Sequence, residues 1–375
     1  MNRKNVIILM IDGGRLDYAK NSSVFNKLKS ESVFFSNSIT YGPHTIAAMH
    51  AVFSGSYGTR TGTNSYWSTY KFKKDKFKTI TEYLKEENYH TYADVINQLV
   101  VPKQGFDNYV VHDELNDNLT ERHKYLLETM NSKYSDNENF FLYLHYSKIH
   151  TGIMNEVLKV YDNFSEEFFS NKEKNRVRYN KLFESAEIYL KEILEKISQL
   201  NLDKNSIILV MSDHGISIGE KIGERAYGSF CYDYTLRTFT YFQIPGINGK
   251  EIQQQIRTID FMPTILELLD LRYDEAYNSL DGISLLPLIE GKSVNESYAF
   301  SETGNPLTEK APPKKPNVKS IRTTNWKLIL NEHNDTRELY NLQLDPDENN
   351  NLINSGEKIE SVLLDELNRL INKRD

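Results

Sequence analysis

Two apolar, β-branched runs far apart in the chain stop in the same way. Asn5-Val-Ile-Ile-Leu-Met-Ile ends at Asp12-Gly13-Gly14-Arg15, and Ser206-Ile-Ile-Leu-Val-Met-Ser ends at Asp213-His214-Gly215. A continuous apolar run of this length, with neither face polar, is the pattern of a parallel strand covered on both sides. Ending it at an acid followed by glycine places a carboxylate at the carboxyl edge of the sheet, where α/β proteins build their sites. The two strands can therefore aim Asp12, Asp213 and His214 at one cation.

The segments between and after these runs fit that architecture. Ser23–Ser30 reads as a short amphipathic helix and Ser32–Ile39 as a strand. Thr45 precedes Ala47–Phe53, of helical composition, so its hydroxyl is expected at a helix N-terminus, where exposed N–H groups and the helix dipole favour an anion. Thr79–Glu86 reads as a helix, Thr91–Ile96 and Phe140–Tyr146 as strands, Glu166–Leu200 as a long helix, and Thr258–Leu269 as a loop entering a helix. Strands alternating with helices predict a large, mostly parallel sheet with helices on both faces. Near Gly304 the texture changes. The Pro- and Lys-rich segment 306–318 reads as a surface loop, Val318–Leu330 as two strands turning at Thr323-Thr-Asn, and Lys358–Ile371 as a last helix. The expected organisation is a catalytic α/β domain over 1–304 and a C-terminal antiparallel-sheet subdomain with a terminal helix over 305–375.

Composition narrows the function. A net charge of −7 offers no general attraction to nucleic acid or anionic membrane, so an anionic substrate needs a local metal and local cations. One cysteine, Cys231, rules out an internal disulfide and a cysteine-based zinc site. No run approaches the length of a membrane span or a signal h-region, and cytoplasmic residence is the default expectation.

Each candidate residue also has a plainer account when read alone. Asp12 could cap a helix, and Asp213-His214-Gly215 could be only a turn; an oxygen-rich set with one imidazole suits Mn, Mg, Ca or Zn without choosing among them. Thr45 is a nucleophile only if a metal activates its hydroxyl; otherwise it is a helix cap. His150 could protonate a leaving group. Arg15, Lys221 and Arg225 flank the acid-bearing loops and could hold substrate oxygens, while His44 and His50 bracket Thr45 and Arg60 is expected to pin its own loop.

In chain order, Ile11-Asp-Gly-Gly-Arg, Thr45, Tyr57-Gly-Thr-Arg-Thr-Gly62, Gly105-Phe-Asp, Met211-Ser-Asp-His-Gly, Asp260-Phe-Met-Pro-Thr, Leu280-Asp-Gly-Ile-Ser-Leu-Leu-Pro and Glu338-Leu-Tyr-Asn-Leu-Gln-Leu-Asp-Pro span nearly the whole sequence. This succession resembles the sulfatases of the alkaline phosphatase superfamily. The resemblance implies Asp12, Asp213 and His214 as metal ligands, Thr45 as nucleophile and further ligand, and His150 as a substrate contact. It also implies a small-molecule or glycan-linked anionic ester as substrate.

The departures matter as much. The family's Cys-x-Pro-Ser-Arg signature is replaced by Thr45-Ile-Ala-Ala-Met49, and threonine, with a methyl on Cβ, cannot yield the formylglycine aldehyde. Gly13 stands where many sulfatases carry a second metal-binding Asp. The Gly-Lys-Trp-His segment is missing, Lys221 sits where a His often follows Gly-Glu, and Tyr227 where a substrate-binding Lys is usual, with Arg225 close by. Tyr146 holds the place of an Asp that the two-metal phosphatases use. These departures favour one divalent metal ion and shift the expected reaction to hydrolysis of a phosphate ester (diester, monoester or phosphonate) through phospho-Thr45. A sulfuric ester hydrolase and a transferase of phosphoryl-linked groups to sugar or polymer hydroxyls stand as alternatives.

Overall fold

The computed structural model describes residues 4–65, 68, 71–134, 138–157, 171–224, 226–304, 313 and 315–373, with the side chains of 155–157 excluded. Its main sheet contains β1 (Asn5–Ile11), β2 (Val33–Ile39), β3 (His90–Val95), β4 (Asn108–Val111), β5 (Phe140–Tyr146), β6 (Ser206–Met211), β7 (Arg237–Gln243), β8 (Lys250–Ile252) and β9 (Ile256–Arg257). The order is β4-β3-β5-β1-β6-β7-β2-β8, with β9 also paired to β2. Pairing from β4 through β6 is parallel throughout; β7 alone runs against its neighbours β6 and β2.

All seven residues of β1 and all six of β6 are buried, as strands covered on both faces must be. Alternate residues divide between two cores. Ile7, Leu9 and Ile11 pack under the helices Leu119–Lys133 and Lys172–Gln199, whereas Val6, Ile8 and Met10 pack under Thr45–Ser54, Ile80–Glu86 and Phe261–Leu268. The long helix begins at Lys172; the earlier part of the expected range, 166–170, lies outside the described residues.

A second sheet is antiparallel, in the order β10 (Ala299–Thr303), β11 (Val318–Arg322), β12 (Trp326–Asn331) and β13 (Thr336–Asn341), and the helix Ile359–Asn372 packs on it through Leu363, Leu367 and Leu370. β11 and β12 turn at the expected Thr323-Thr-Asn. Thr303 pairs with Val318 across the expected surface loop, most of which (305–312 and 314) lies outside the described residues. The small sheet thus takes Ala299–Thr303 from the N-terminal side of the expected division at 304. It is joined to the main body by the buried ion pairs of Lys327 and Arg322 on Asp233, at 2.9 and 2.8 Å, while Lys327 also pairs with Glu348 within the subdomain at 2.8 Å.

Candidate active site

The site is assembled by strand register. Met10 of β1 pairs with Met211 of β6 and with His145 of β5, so the residues just beyond these strands arrive together at the carboxyl edge. Asp12 follows β1 directly. Gly13 then turns the chain at φ +75°, and a Cβ there would lie 2.5 Å from Ile216 Cδ1. A second carboxylate cannot be placed at this position without moving Ile216. On the other strand a Cβ on Gly215 would lie 2.1 Å from the carbonyl oxygen of Tyr234, so the Asp213-His214 turn also needs glycine.

Asp12, Asp213 and His214 are fully buried and offer donor atoms within 4.8 Å of one another. His214 Nε2 lies 3.6 Å from Asp12 Oδ1 and 3.6 Å from Asp213 Oδ2. Asp213 Oδ2 lacks a hydrogen-bond donor among the described residues and Asp12 Oδ1 has only the ion pair with His150 at 3.3 Å, whereas Asp213 Oδ1 accepts from the Gly13 amide at 3.3 Å. Two buried carboxylates this close together, with Asp213 Oδ2 left unsatisfied, would be strongly destabilising unless a cation is bound between them. Their acidities diverge accordingly. Burial, and the charge of Asp12 beside it, raises the carboxyl of Asp213, while Asp12, although burial opposes this, is held well below the usual range by His150 and His145. The donor set, two carboxylate oxygens and an imidazole nitrogen, fits one divalent cation.

Thr45 completes this cluster. It is the first residue of the helix Thr45–Ser54, but the cap is His44, whose Nδ1 accepts from the Ala47 amide at 3.4 Å. The threonine hydroxyl is turned instead toward the acids, 3.4 Å from Asp12 Oδ2 and 3.5 Å from His214 Nε2. Here the plain helix-cap account of Thr45 fails. His150, in the helix Lys148–Val157, reaches Asp12 Oδ1 with Nδ1 at 3.3 Å and the Tyr227 hydroxyl with Nε2 at 3.5 Å. Burial works against its protonation, but the Asp12 carboxylate outweighs this and raises its pKa. The His150 side chain is 18% exposed, against 0–1% for Asp12, Asp213 and His214, so the cluster comes nearest to solvent at His150. The Tyr227 ring stacks on His214 at 4.8 Å on the same side.

Other sequence candidates lie elsewhere. Lys221 reaches the carbonyl of Glu348 and sits over the rings of Tyr232 and Tyr340, at 4.8 and 5.8 Å, committed to the C-terminal subdomain rather than to the cluster. Arg225 lies outside the described residues. Arg15 pairs with Asp17 and Glu220 and donates to the Ile216 carbonyl at 2.8 Å, tying the loop after β1 to the loop after β6. Burial and the neighbouring His214 lower His44 to about 3, and burial lowers His50 to about 4, so both are neutral imidazoles at neutral pH. Arg60 pins its loop to Asp281 at 3.0 Å, as expected. The residue missed from sequence is His145, fully buried in β5, with Nε2 3.0 Å from Asp12 Oδ2. Only the pairing of β5 with β1 brings it there.

A second buried group, Asp94, His112 and His123, has nearly the same composition. Asp94 Oδ1 meets His112 Nδ1 at 2.7 Å and His123 Nε2 at 3.3 Å, and Oδ2 accepts from Arg122 at 2.7 Å. The far ring nitrogens meet Ser147 Oγ at 3.2 Å and Tyr189 Oη at 2.8 Å.

The sulfatase family model matches residues 4–271, and the model of the N-sulphoglucosamine sulphohydrolase C-terminal region matches 226–374. The chain belongs to the sulfatase family, a class of metal-dependent hydrolases. Among its relatives are arylsulfatase K of Mus musculus, 26% identical over 56% of this chain and 38% of that protein, and choline-sulfatase of Rhizobium meliloti, 26% identical over 43% and 30%. The matches thus span well under half the length of these relatives. Similar folds include a protein solved in complex with its substrate D-glucosamine-2-N,6-O-disulfate (TM-score 0.76, 16% identity, 98% of this chain and 97% of that one). Another is the phosphonate monoester hydrolase of Agrobacterium radiobacter (TM-score 0.75, 14% identity, 98% and 95%). Among the described residues no helix is long and apolar enough to cross a membrane.

Proposed function

We propose that this chain is a metal-dependent hydrolase of phosphate esters (diester, monoester or phosphonate), with Thr45 as nucleophile. The observation that carries the reading is the Thr45 hydroxyl, relieved of capping by His44 and aimed between Asp12 Oδ2 and His214 Nε2. Asp12, Asp213 and His214, with Thr45 beside them, would hold a single divalent ion, whose positive charge would acidify the hydroxyl and offset the charge of the substrate. Thr45 Oγ1 gives its proton to Asp12 Oδ2, 3.4 Å away, and attacks phosphorus; the ester P–O bond breaks, and the leaving oxygen takes the proton from His150, whose pKa Asp12 raises. Water, giving its proton to the now neutral His150, then attacks the phosphorus; the Thr45 oxygen leaves and takes back the proton from Asp12, and the product is phosphate from a monoester, a phosphate monoester from a diester or a phosphonate from a phosphonate ester. The substrate enters on the side of His150, Thr45 and Tyr227, consistent with a small-molecule or glycan-linked ester.

The preference for phosphorus rests on chemistry. A formylglycine enzyme releases sulfate by collapse of a hydrate at the nucleophilic carbon, and a threonine cannot form that hydrate, whereas a phospho-threonine is open to attack by water. The second reading, a sulfuric ester hydrolase, is favoured by the sulfatase names of the relatives. Turnover of aryl phosphate mono- and diesters against aryl sulfate separates the two. We expect Thr45→Ala to lower turnover of the preferred ester by roughly 10³-fold or more while circular dichroism and metal content stay as in the parent. Full activity in that variant would sink the mechanism.

A further inference from the structure

Asp12 is the hub of the cluster, and its two oxygens are used differently. Oδ2 lies 3.0 Å from His145 Nε2 and 3.4 Å from the Thr45 hydroxyl. Oδ1 faces His214 Nε2 at 3.6 Å and ion-pairs with His150 Nδ1 at 3.3 Å. A neutral imidazole carries one N–H, and only the tautomer with the proton on Nε2 gives the carboxylate a donor; the alternative would set a nitrogen lone pair against it. That tautomer leaves His145 Nδ1 buried without a partner among the described residues. The ring therefore satisfies Asp12 at the expense of its own second nitrogen, an arrangement that is costly unless it serves the neighbour. It is held there by β5, where it pairs with Met10, and by edge-to-face packing on His112 and Tyr143, at ring separations of 6.2 and 6.3 Å.

We infer that His145 is a positioning residue of the metal centre: its Nε2–H grips Asp12 Oδ2 and turns Oδ1 alone toward the cation. His145 is not itself a ligand. It approaches Asp12 at the oxygen other than the one facing His214, and the set of donors lying within 4.8 Å of one another comprises Asp12, Asp213 and His214 without it. The need for it arises at Gly13, which offers no second carboxylate beside Asp12 and whose positive φ and closeness to Ile216 Cδ1 leave no room for one unless Ile216 shifts. With fewer acids around the ion, the orientation of each one counts for more, and a hydrogen bond to a ligating carboxylate sets that orientation.

This inference rests on the metal-centre reading, and the experiment keeps the two apart. Full-length parent chain, His145→Leu and His145→Gln are stripped of metal and titrated with Mn²⁺ and with Zn²⁺ by calorimetry, while circular dichroism and thermal unfolding of the metal-free proteins report the fold. Parent protein should bind one ion; His145→Leu should bind it roughly 10- to 100-fold more weakly, and His145→Gln, whose amide N–H can reach Oδ2, should recover most of the loss. Affinity in a folded His145→Leu protein equal to the parent's overturns the inference. Should that variant fail to fold, electron spin-echo spectroscopy of the Mn²⁺-loaded parent decides: one coordinated imidazole, from His214, supports the positioning role, and two overturn it. Absence of binding by the parent for either ion overturns the metal centre itself.

Discussion

Two buried clusters of carboxylate and imidazole lie along the carboxyl side of the same sheet, and they behave as opposites. Around Asp94 every polar atom is matched: one oxygen takes two imidazoles, the other takes Arg122, and Ser147 and Tyr189 close the far ends. The guanidinium already neutralises the only carboxylate, so a divalent ion there would bring uncompensated charge into the interior. Around Asp12 and Asp213 two acids are buried side by side with a histidine nitrogen 3.6 Å from both; Asp213 Oδ2 has no donor among the described residues, and Asp12 Oδ1 has only the ion pair with His150. Composition does not separate the clusters. The unsatisfied acceptor does, because burying a charge without a partner is the costlier arrangement and is retained only where something else completes it.

Substitutions can test this contrast, and the largest effect is expected at the open cluster. Asp213→Asn should weaken divalent-ion binding by roughly 10²-fold or more, and ester hydrolysis with it, yet leave the metal-free chain as stable as the parent or more stable, since it removes one of two repelling buried charges; calorimetric titration and thermal unfolding of the stripped protein check both halves. Asp94→Ala should do the reverse. Leaving Arg122 and two buried histidines without their acceptor should cost about 3–5 kcal/mol in denaturant unfolding, with the ion content per chain unchanged by mass spectrometry of the metal. A smaller effect belongs to the small sheet. Burial raises the Glu302 carboxyl from 4.5 to about 7, against the Tyr41 hydroxyl that it accepts from. Its folded pKa lies above the unfolded one, so the folded chain binds more protons in that window. The contribution is fully present below pH 4.5 and is lost as pH rises through 7, up to about 3 kcal/mol. Glu302→Gln should flatten this part of the stability profile relative to the parent.

Much of the architecture is legible in the order of residues alone. β1 and β6 are apolar on every residue because both faces are covered, and such runs look the same in the sequence as in the fold. The tail's strands and final helix are readable from residue type and local turn signals, although both faces of the small sheet pack, Ile321 and Leu328 on one side and Val318 and Ile329 on the other. Lys221 shows where reading along the chain runs out: it follows the acid-bearing loop closely, yet its long side chain is drawn to Tyr232, Tyr340 and the Glu348 carbonyl, a choice made by contacts distant in sequence. β10 is hidden because its partner β11 lies beyond a loop, and pairing across such a gap leaves no local signature.

The sequence by itself determined which strands end in acids, that threonine stands beside them, and that the chain is built as a sulfatase-family protein. These are properties of local pattern: hydrophobic period, residue type and the order of motifs. Only the tertiary structure decided that His44 takes the cap and turns Thr45 toward Asp12, that His145 arrives beside Asp12 through the β1–β5 register, and that the Asp94 cluster is closed while the Asp213 cluster is open. Satisfaction of a buried polar atom depends on groups brought from several strands and helices at once, and no stretch of sequence contains that information.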